Sequence, residues 1–323
     1  MAASPEISST FRANSGVSPL LTAEGPFVSV VVPVWNDAER LAGCLRSLEK
    51  QTYPAHLYEV IVVDNGSTDS VSGVVASCAN ARVVIEQRAG SYAARNTGVR
   101  EAVGEVIAFT DSDCLPAPDW IERAIVHLIN NRGTVVAGRI EIFPRSALHP
   151  NGVEQYETLV ALAQKEFVNN YGFGATANLF VFKEVFERVG YFLADLKSGG
   201  DLEWGRRLKK HDFTIEYFED VCVRHPARFS LSQLYFKILR VTGGLCDLKR
   251  MKGAAYLEFD RSWGMTLIPP VRALATILRE PSLQRMRDRI RVCGVLMFVR
   301  YAEAFEKLRL TYPKLWNHPT SAR

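Results

Sequence analysis

The chain has 323 residues, a formal net charge of +4, and hydrophobic and charged fractions of 47% and 23%. That is the balance of an ordinary globular protein, with room for one α/β domain plus an appendage or for two modest domains. Six scattered cysteines with no Cys-x-x-Cys pair argue against a zinc ribbon or a disulfide framework, and no apolar run approaches the roughly 18–20 residues that span a bilayer.

Residues 1–26, rich in Ser, Ala, Gly and Pro, lack the apolar centre of a signal peptide and read as a disordered leader. Val28–Val34 (VSVVVPV) is a continuous β-branched run, the pattern of a strand buried on both faces of a parallel sheet. After Trp35-Asn36-Asp37, the residues Leu41, Cys44, Leu45 and Leu48 recur at helical spacing. Tyr58–Val63 is a second buried strand. It ends on the polar turn Asp64-Asn65-Gly66-Ser67-Thr68-Asp69, where Asp69 or Ser67 is placed to cap the next helix. A weaker strand over Arg82–Ile85, a helix over Ser91–Ala102 and a strand over Val106–Thr110 complete the alternation of a doubly wound α/β sheet.

From Gly138 to Phe182 the pattern loosens. Val153–Phe167 reads as one helix, and Leu179–Phe182 as a strand behind the small-residue loop Tyr171–Asn178. Gly199-Gly200-Asp201 leads into a predicted helix over Leu202–Lys209, and Thr214–Phe218 is a further strand. Beyond His225-Pro226 the chain turns helical, with breaks expected at Gly243-Gly244, Pro269-Pro270 and Pro281.

In open α/β sheets ligands bind beyond the carboxyl ends of the strands. Asp64, Asp111 and Asp113 all fall there. If extended backbone continues past Thr110, Asp111 and Asp113 point the same way and converge on one site. Hard oxygen ligands of this kind suit Mg²⁺ or Mn²⁺ shared with substrate phosphates; the alternative is a solvated turn with a helix cap. The first strand end carries no Gly-x-Gly-x-x-Gly, which argues against a dinucleotide-dependent oxidoreductase. It also lacks the glycine-rich, basic phosphate loop of a nucleotidyltransferase.

Taken in order, Val28–Val34 with Asn36-Asp37, the Asp64–Asp69 turn, Gly90-Ser91-Tyr92-Ala93-Ala94-Arg95-Asn96 and Asp111-Ser112-Asp113 resemble the family 2 glycosyltransferases, whose nucleotide-sugar-binding fold is called GT-A. The resemblance spans about residues 27–228. It implies a Rossmann-like, mostly parallel sheet flanked by helices, and an inverting enzyme that moves a sugar from a UDP- or GDP-sugar to an acceptor hydroxyl. It also implies a catalytic domain over 27–230, with a nucleotide-sugar half to about 115 and an acceptor half beyond, followed by a basic helical region over 231–323.

Residue by residue, the resemblance places Pro33, Val34, Asn36, Asp37 and Asp64 around the nucleoside base, with Arg95 in a segment over the nucleotide. Asp111-Ser112-Asp113 binds the ribose and, through a divalent cation (Mn²⁺ or Mg²⁺) at Asp113 with Asp111 nearby, the diphosphate. Gly199-Gly200-Asp201-Leu202-Glu203 is similar to a family segment that often reads Gly-Glu-Asp, with Gly200 standing where Glu is common. By that likeness Asp201 is the general base, which must take the acceptor's proton as the hydroxyl attacks; Glu203 is the reserve, and a helix cap is the structural alternative for Asp201. His225 is a candidate second metal ligand, Arg228 a candidate phosphate contact, and Asn178 lies in a segment similar to one flanking donor sugar and acceptor. The departure at Gly200 leaves room for a non-catalytic nucleotide-sugar-binding protein of the same fold.

Charge divides the chain. Leu231–Arg323 holds 17 Lys and Arg against 7 Asp and Glu, a net of +10, so residues 1–230 carry −6. Met286, Ile290, Val292, Cys293, Leu296, Met297 and Val299 lie beside Arg285, Arg287, Arg289 and Arg291. One expectation is a peripheral seat on an anionic inner leaflet, with a glycan or lipid-linked acceptor; the other is packing on the catalytic domain. A cytoplasmic protein is expected in either case. Nucleic acid is not an expected partner, because aromatic residues are not interleaved with the basic ones.

Overall fold

Buried β-branched runs build the centre of the sheet. The structure, a computed structural model, describes residues 25–253, 256 and 263–316, so the leader read over 1–26 lies almost wholly outside the described residues. Strands β1 (Val28–Val34), β2 (Tyr58–Asp64), β3 (Ala81–Ile85) and β4 (Val106–Thr110) pair in parallel in the order β3-β2-β1-β4. The register sets Val34 opposite Asp64 and Val31 opposite Phe109. Three polar strand ends therefore share one edge.

Side chains alternate between two apolar layers. Val30, Val32, Val60 and Val62 face helices α1 (Ala38–Leu48) and α4 (Trp120–Asn130); Val31, Ile61, Ile107 and Phe109 face helix α3 (Ser91–Glu101). Full burial of each such residue contributes about 1.5–3 kcal/mol, so every central strand is held from both sides. Helix α3 lies unusually close to β1: a Cβ on Gly98 would stand 2.3 Å from Val31 Cγ1.

The remainder of the sheet is mixed. β7 (Asn178–Phe182) runs antiparallel to β4 and to β6 (Thr134–Phe143), β8 (Thr214–Pro226) runs parallel to β6, and the two-residue β5 (Leu115–Pro116) pairs antiparallel with β8. The full order is β3-β2-β1-β4-β7-β6-β8-β5.

Several elements differ from the sequence reading. The helix expected over Val153–Phe167 is two, α5 (Gly152–Val160) and α6 (Gln164–Tyr171), broken where Leu162 takes φ 48°. The final strand does not stop at Phe218 but continues through an irregularity beside Gly138/Arg139 to Pro226. No break occurs at Gly243-Gly244, because α9 (Leu231–Lys252) is continuous. Gly244 instead permits close packing: a Cβ there would lie 2.6 Å from the Ser198 backbone.

The expected breaks at Pro269-Pro270 and Pro281 separate α10 (Trp263–Leu267), α11 (Val271–Arg279) and α12 (Met286–Thr311). Val292 and Val295 of α12 join Val153, Tyr156, Leu234, Ile277 and Leu283 in a third apolar cluster. Packing on the rest of the chain thus accounts for one side of α12. Met286 and Ile290 lie outside it, 59% and 61% exposed. All six cysteines are free, and no helix among the described residues is long and apolar enough to cross a membrane.

Candidate active site

The turn after β2 is tied to the end of β1. Asn36, at φ 50°, accepts hydrogen bonds from Thr68 N (2.7 Å) and Thr68 Oγ1 (3.1 Å), while its own N–H donates to Ser67 Oγ at 3.0 Å. Asp69 accepts from Ala38 N at 2.8 Å. The expected capping is therefore corrected: Asp69 serves the first turn of α1 on the neighbouring strand connection, and helix α2 (Val71–Val75) has no side-chain cap. One Asp64 oxygen accepts from Ser67 N at 2.9 Å. Val34 is 2% exposed and its carbonyl accepts from Asn65 N, so its side chain is packed into the core. Pro33, half-buried, contributes only its place at the strand end.

The backbone turns immediately after β4, with Cys114 N donating to Asp111 O at 3.0 Å. Asp111 and Asp113 therefore do not project side by side from an extended strand, as the sequence reading supposed. Asp111 accepts from the buried guanidinium of Arg95. Ser112 is buried and donates to Asp37 at 3.0 Å, and Asp37 also accepts from Arg40 at 2.6 Å. Asp113 stands 3.4 Å from Arg40 Nη1 and 3.5 Å from His225 Nε2. Loss of hydration raises the Asp113 pKa, the His225 charge opposes that rise and the Asp111 charge adds to it.

His225 is buried, with Nδ1 2.8 Å from the Pro226 carbonyl. A carbonyl only accepts, so Nδ1 carries the proton and, in the neutral ring, Nε2 turns a lone pair toward Asp113. Two acceptors facing each other across 3.5 Å fit a hard cation between them. Among the described residues no cluster of three His, Cys, Asp or Glu could hold a metal by itself; Mg²⁺-type sites commonly use one or two protein ligands and complete the shell with phosphates and water.

Asp201 lies in the first turn of α8 (Gly200–Lys210). The helix start is capped not by Asp201 but by Tyr92, whose hydroxyl accepts from Gly200 N (3.0 Å) and Asp201 N (3.3 Å). Asp201 accepts from Thr176 Oγ1 at 3.2 Å. Its pKa is raised by loss of hydration; Arg95 opposes this and Asp111 reinforces it. The reserve base is ruled out by its surroundings: Glu203 is 1% exposed and paired with Arg207 (2.9 Å) and Lys252 (3.2 Å).

Asn178 is likewise corrected. It is fully buried, accepting from Trp120 Nε1 (2.8 Å) and donating to the carbonyls of Arg139 (2.8 Å) and Val221 (2.9 Å). Its amide stitches β7 to the irregular stretch of β6 and β8, with nothing left for a sugar. Arg228 pairs with the buried Glu157 at 2.8 Å, as does Lys237 at 2.8 Å. Tyr92, Thr176 and Arg40 were missed as site residues; Tyr92 stood inside the quoted Gly90–Asn96 segment, where a large ring amid small residues was the available signal.

Asp37, Ser112, Asp113, Asp111 and Asp201 are thus connected by direct contacts or mutual charge through Arg40, His225 and Arg95, with Asp64 at the same sheet edge by register. The family model described as "Glycosyl transferase family 2" matches residues 29–191. The chain belongs to glycosyltransferase family 2. It is 38% identical over 232 residues to glycosyltransferase AglE of Haloferax volcanii, covering 69% of this chain and 74% of that one. Several other curated glycosyltransferases are longer, and the chain spans as little as 16% of their length.

Among solved structures, the mannosyltransferase PcManGT from Pyrobaculum calidifontis in complex with GDP-Man and Mn²⁺ superposes with TM-score 0.60 at 20% identity, over 92% of this chain and 89% of that one. TarS 1–349 of S. aureus with UDP-GlcNAc gives TM-score 0.53 at 17% identity, over 91% and 93%. The fold is GT-A, and this family 2 chain is a glycosyltransferase.

The glycosyltransferase explains its own departure at position 200. A Cβ on Gly200 would sit 2.6–2.8 Å from three carbons of the Tyr92 ring, so the ring occupies the space a side chain needs. Gly200→Ala is expected to destabilise the fold by about 1–3 kcal/mol through this overlap, read as a lower midpoint in urea, whereas an unchanged midpoint would refute the packing argument.

Proposed function

We propose that this glycosyltransferase performs an inverting transfer from a nucleoside-diphosphate sugar to an acceptor hydroxyl, with Asp201 as base. The observation that carries the reading is the Asp111–Arg95–Asp201 arrangement, which sets a carboxylate of raised pKa beside the carboxylate rim at the strand ends. A base must be avid for a proton, and loss of hydration at Asp201 raises that avidity above an ordinary carboxylate's. The acceptor O–H gives its proton to Asp201, the oxygen bonds to the anomeric carbon from one face, and the bond to the diphosphate oxygen breaks on the other.

Donor placement follows from the strand ends. Asp64 and the Asn36 turn frame the base, and Asp111, braced by Arg95, meets the ribose. Asp37 and Ser112 are bonded to each other and so tie the turn after β4 to the end of β1. A divalent cation, Mn²⁺ or Mg²⁺, held between Asp113 and His225, would neutralise charge gained by the departing diphosphate. Arg228 and Lys237 share the single carboxylate of Glu157, and the one positive charge left over favours a diphosphate nearby. PcManGT with GDP-Man and Mn²⁺ and TarS with UDP-GlcNAc support a GDP- or UDP-sugar as donor. The non-catalytic alternative loses its ground, because Tyr92 packing accounts for the missing side chain at Gly200.

The tail extends the proposal to the acceptor. Exposed Met265, Ile268, Val271, Met286 and Ile290, with exposed Arg272, Arg279, Arg285 and Arg287, suit an anionic bilayer surface, and hence a glycan on a lipid carrier as acceptor.

Turnover of a UDP- or GDP-sugar should require Mn²⁺ or Mg²⁺. Asp201→Asn should lower kcat by about 10²–10⁴ with donor affinity nearly unchanged, while Asp113→Ala should abolish the metal dependence of donor binding; a fully active Asp201→Asn enzyme would remove the base assignment. In vesicle sedimentation, anionic lipid should retain more protein than neutral lipid, and equal partitioning would count against the membrane seat.

A further inference from the structure

The cations around the cleft are already committed to carboxylates, with one exception. Arg95 is paired with Asp111, Arg40 with Asp37 and Asp113, and both Arg228 and Lys237 with Glu157. Arg240 makes no hydrogen bond or ion pair among the described residues.

Its place is set by helix geometry. Lys237, Arg240, Gly244 and Leu248 recur on one side of α9. Lys237 reaches Glu157 at 2.8 Å, Gly244 abuts the Ser198 backbone, and Leu248 Cδ2 lies 3.6 Å from the Cβ position of Gly199. Arg240 therefore stands between the Glu157–Arg228 pair and the loop that presents Asp201. It keeps solvent access, yet loss of hydration and then the Arg228 charge lower its pKa, with Tyr92 and Asp111 opposing. An unpaired, solvent-reachable guanidinium on this helix face, between the Glu157–Arg228 pair and the Ser198–Gly199 loop, is poised for an anion with several oxygen acceptors.

We propose that Arg240, backed by Arg228, is a phosphate-oxyanion subsite contributed by helix α9 to the candidate active site. Neither the family match, which ends at residue 191, nor the strand-end motifs include it. The oxyanion is either the diphosphate of the donor or a phosphate carried by the acceptor, and the subsite rests on the proposed nucleoside-diphosphate chemistry for the first of these.

The test compares wild type with Arg240→Gln and Arg240→Lys, with thermal melting to show that each is folded; an exposed, unpaired side chain should leave melting unchanged. Binding of UDP and GDP with Mn²⁺ is measured by calorimetry, and decyl phosphate is measured separately as an acceptor-like probe. If the donor diphosphate is the occupant, Arg240→Gln weakens the better nucleotide by roughly tenfold or more and Arg240→Lys restores part of it. If the acceptor phosphate is the occupant, nucleotide binding is unchanged and decyl phosphate binding falls by a similar factor. Unchanged affinity for all three probes overturns the subsite. A wild type that binds neither nucleotide counts against the donor reading, and the decyl phosphate comparison still decides the subsite.

Discussion

The buried guanidinium of Arg95 is the charge on which the cleft depends. The Asp111 charge raises the proton affinity of both Asp113 and Asp201, and a positive charge beside Asp111 offsets that crowding. Arg95 supplies it from α3, paired to Asp111 and acting on Asp201. A buried ion pair of this kind contributes little net stability, but removing one partner is costly because the other is stranded. Its value is in placement.

Helix α3 holds more than Arg95. Tyr92 caps α8 and so orients Asp201, and Asn96 clasps Phe192 through both its amide groups, Nδ2 to the carbonyl at 2.8 Å and Oδ1 from the N–H at 3.0 Å. Gly98 brings the helix against Val31 on β1. One short helix thereby fixes Asp111 at the end of β4, Asp201 on α8 and the loop at Phe192. The tail adds to this compensation: the −6 of residues 1–230 and the +10 beyond them meet where Lys237 pairs with the buried Glu157. Part of the charge asymmetry is therefore internal.

The parallel half of the sheet was legible because its strands are buried on both faces: Val28–Val34 and Val106–Thr110 have the bounds their β-branched runs predict. The strand-end aspartates were legible for the same reason, since a core strand must stop where polar residues begin. What escaped was decided by tertiary contact. Asp69 and Ser67 look like caps for the next helix, but the register of β1 and β2 carries them to Asn36 and Ala38 instead. Asn178 sits in a small-residue loop that reads as a sugar contact, yet its amide answers backbone groups freed by the irregular pairing of β6 and β8. Gly243-Gly244 reads as a break, although glycine there serves close approach to Ser198. The Tyr92 ring above Gly200 joins residues 108 positions apart, a separation that no local pattern reports.

The most direct test of the Arg95 account is the acidic limb of the pH–kcat/KM profile in Arg95 variants. The Arg95 charge lowers the Asp201 pKa, so its loss in Arg95→Met must raise that pKa and move the limb to higher pH, while Arg95→Lys, which keeps a charge, should hold it near wild type. A limb that stays in place in Arg95→Met, in protein shown to be folded, would contradict the claim that this guanidinium sets the state of Asp201, the proposed base.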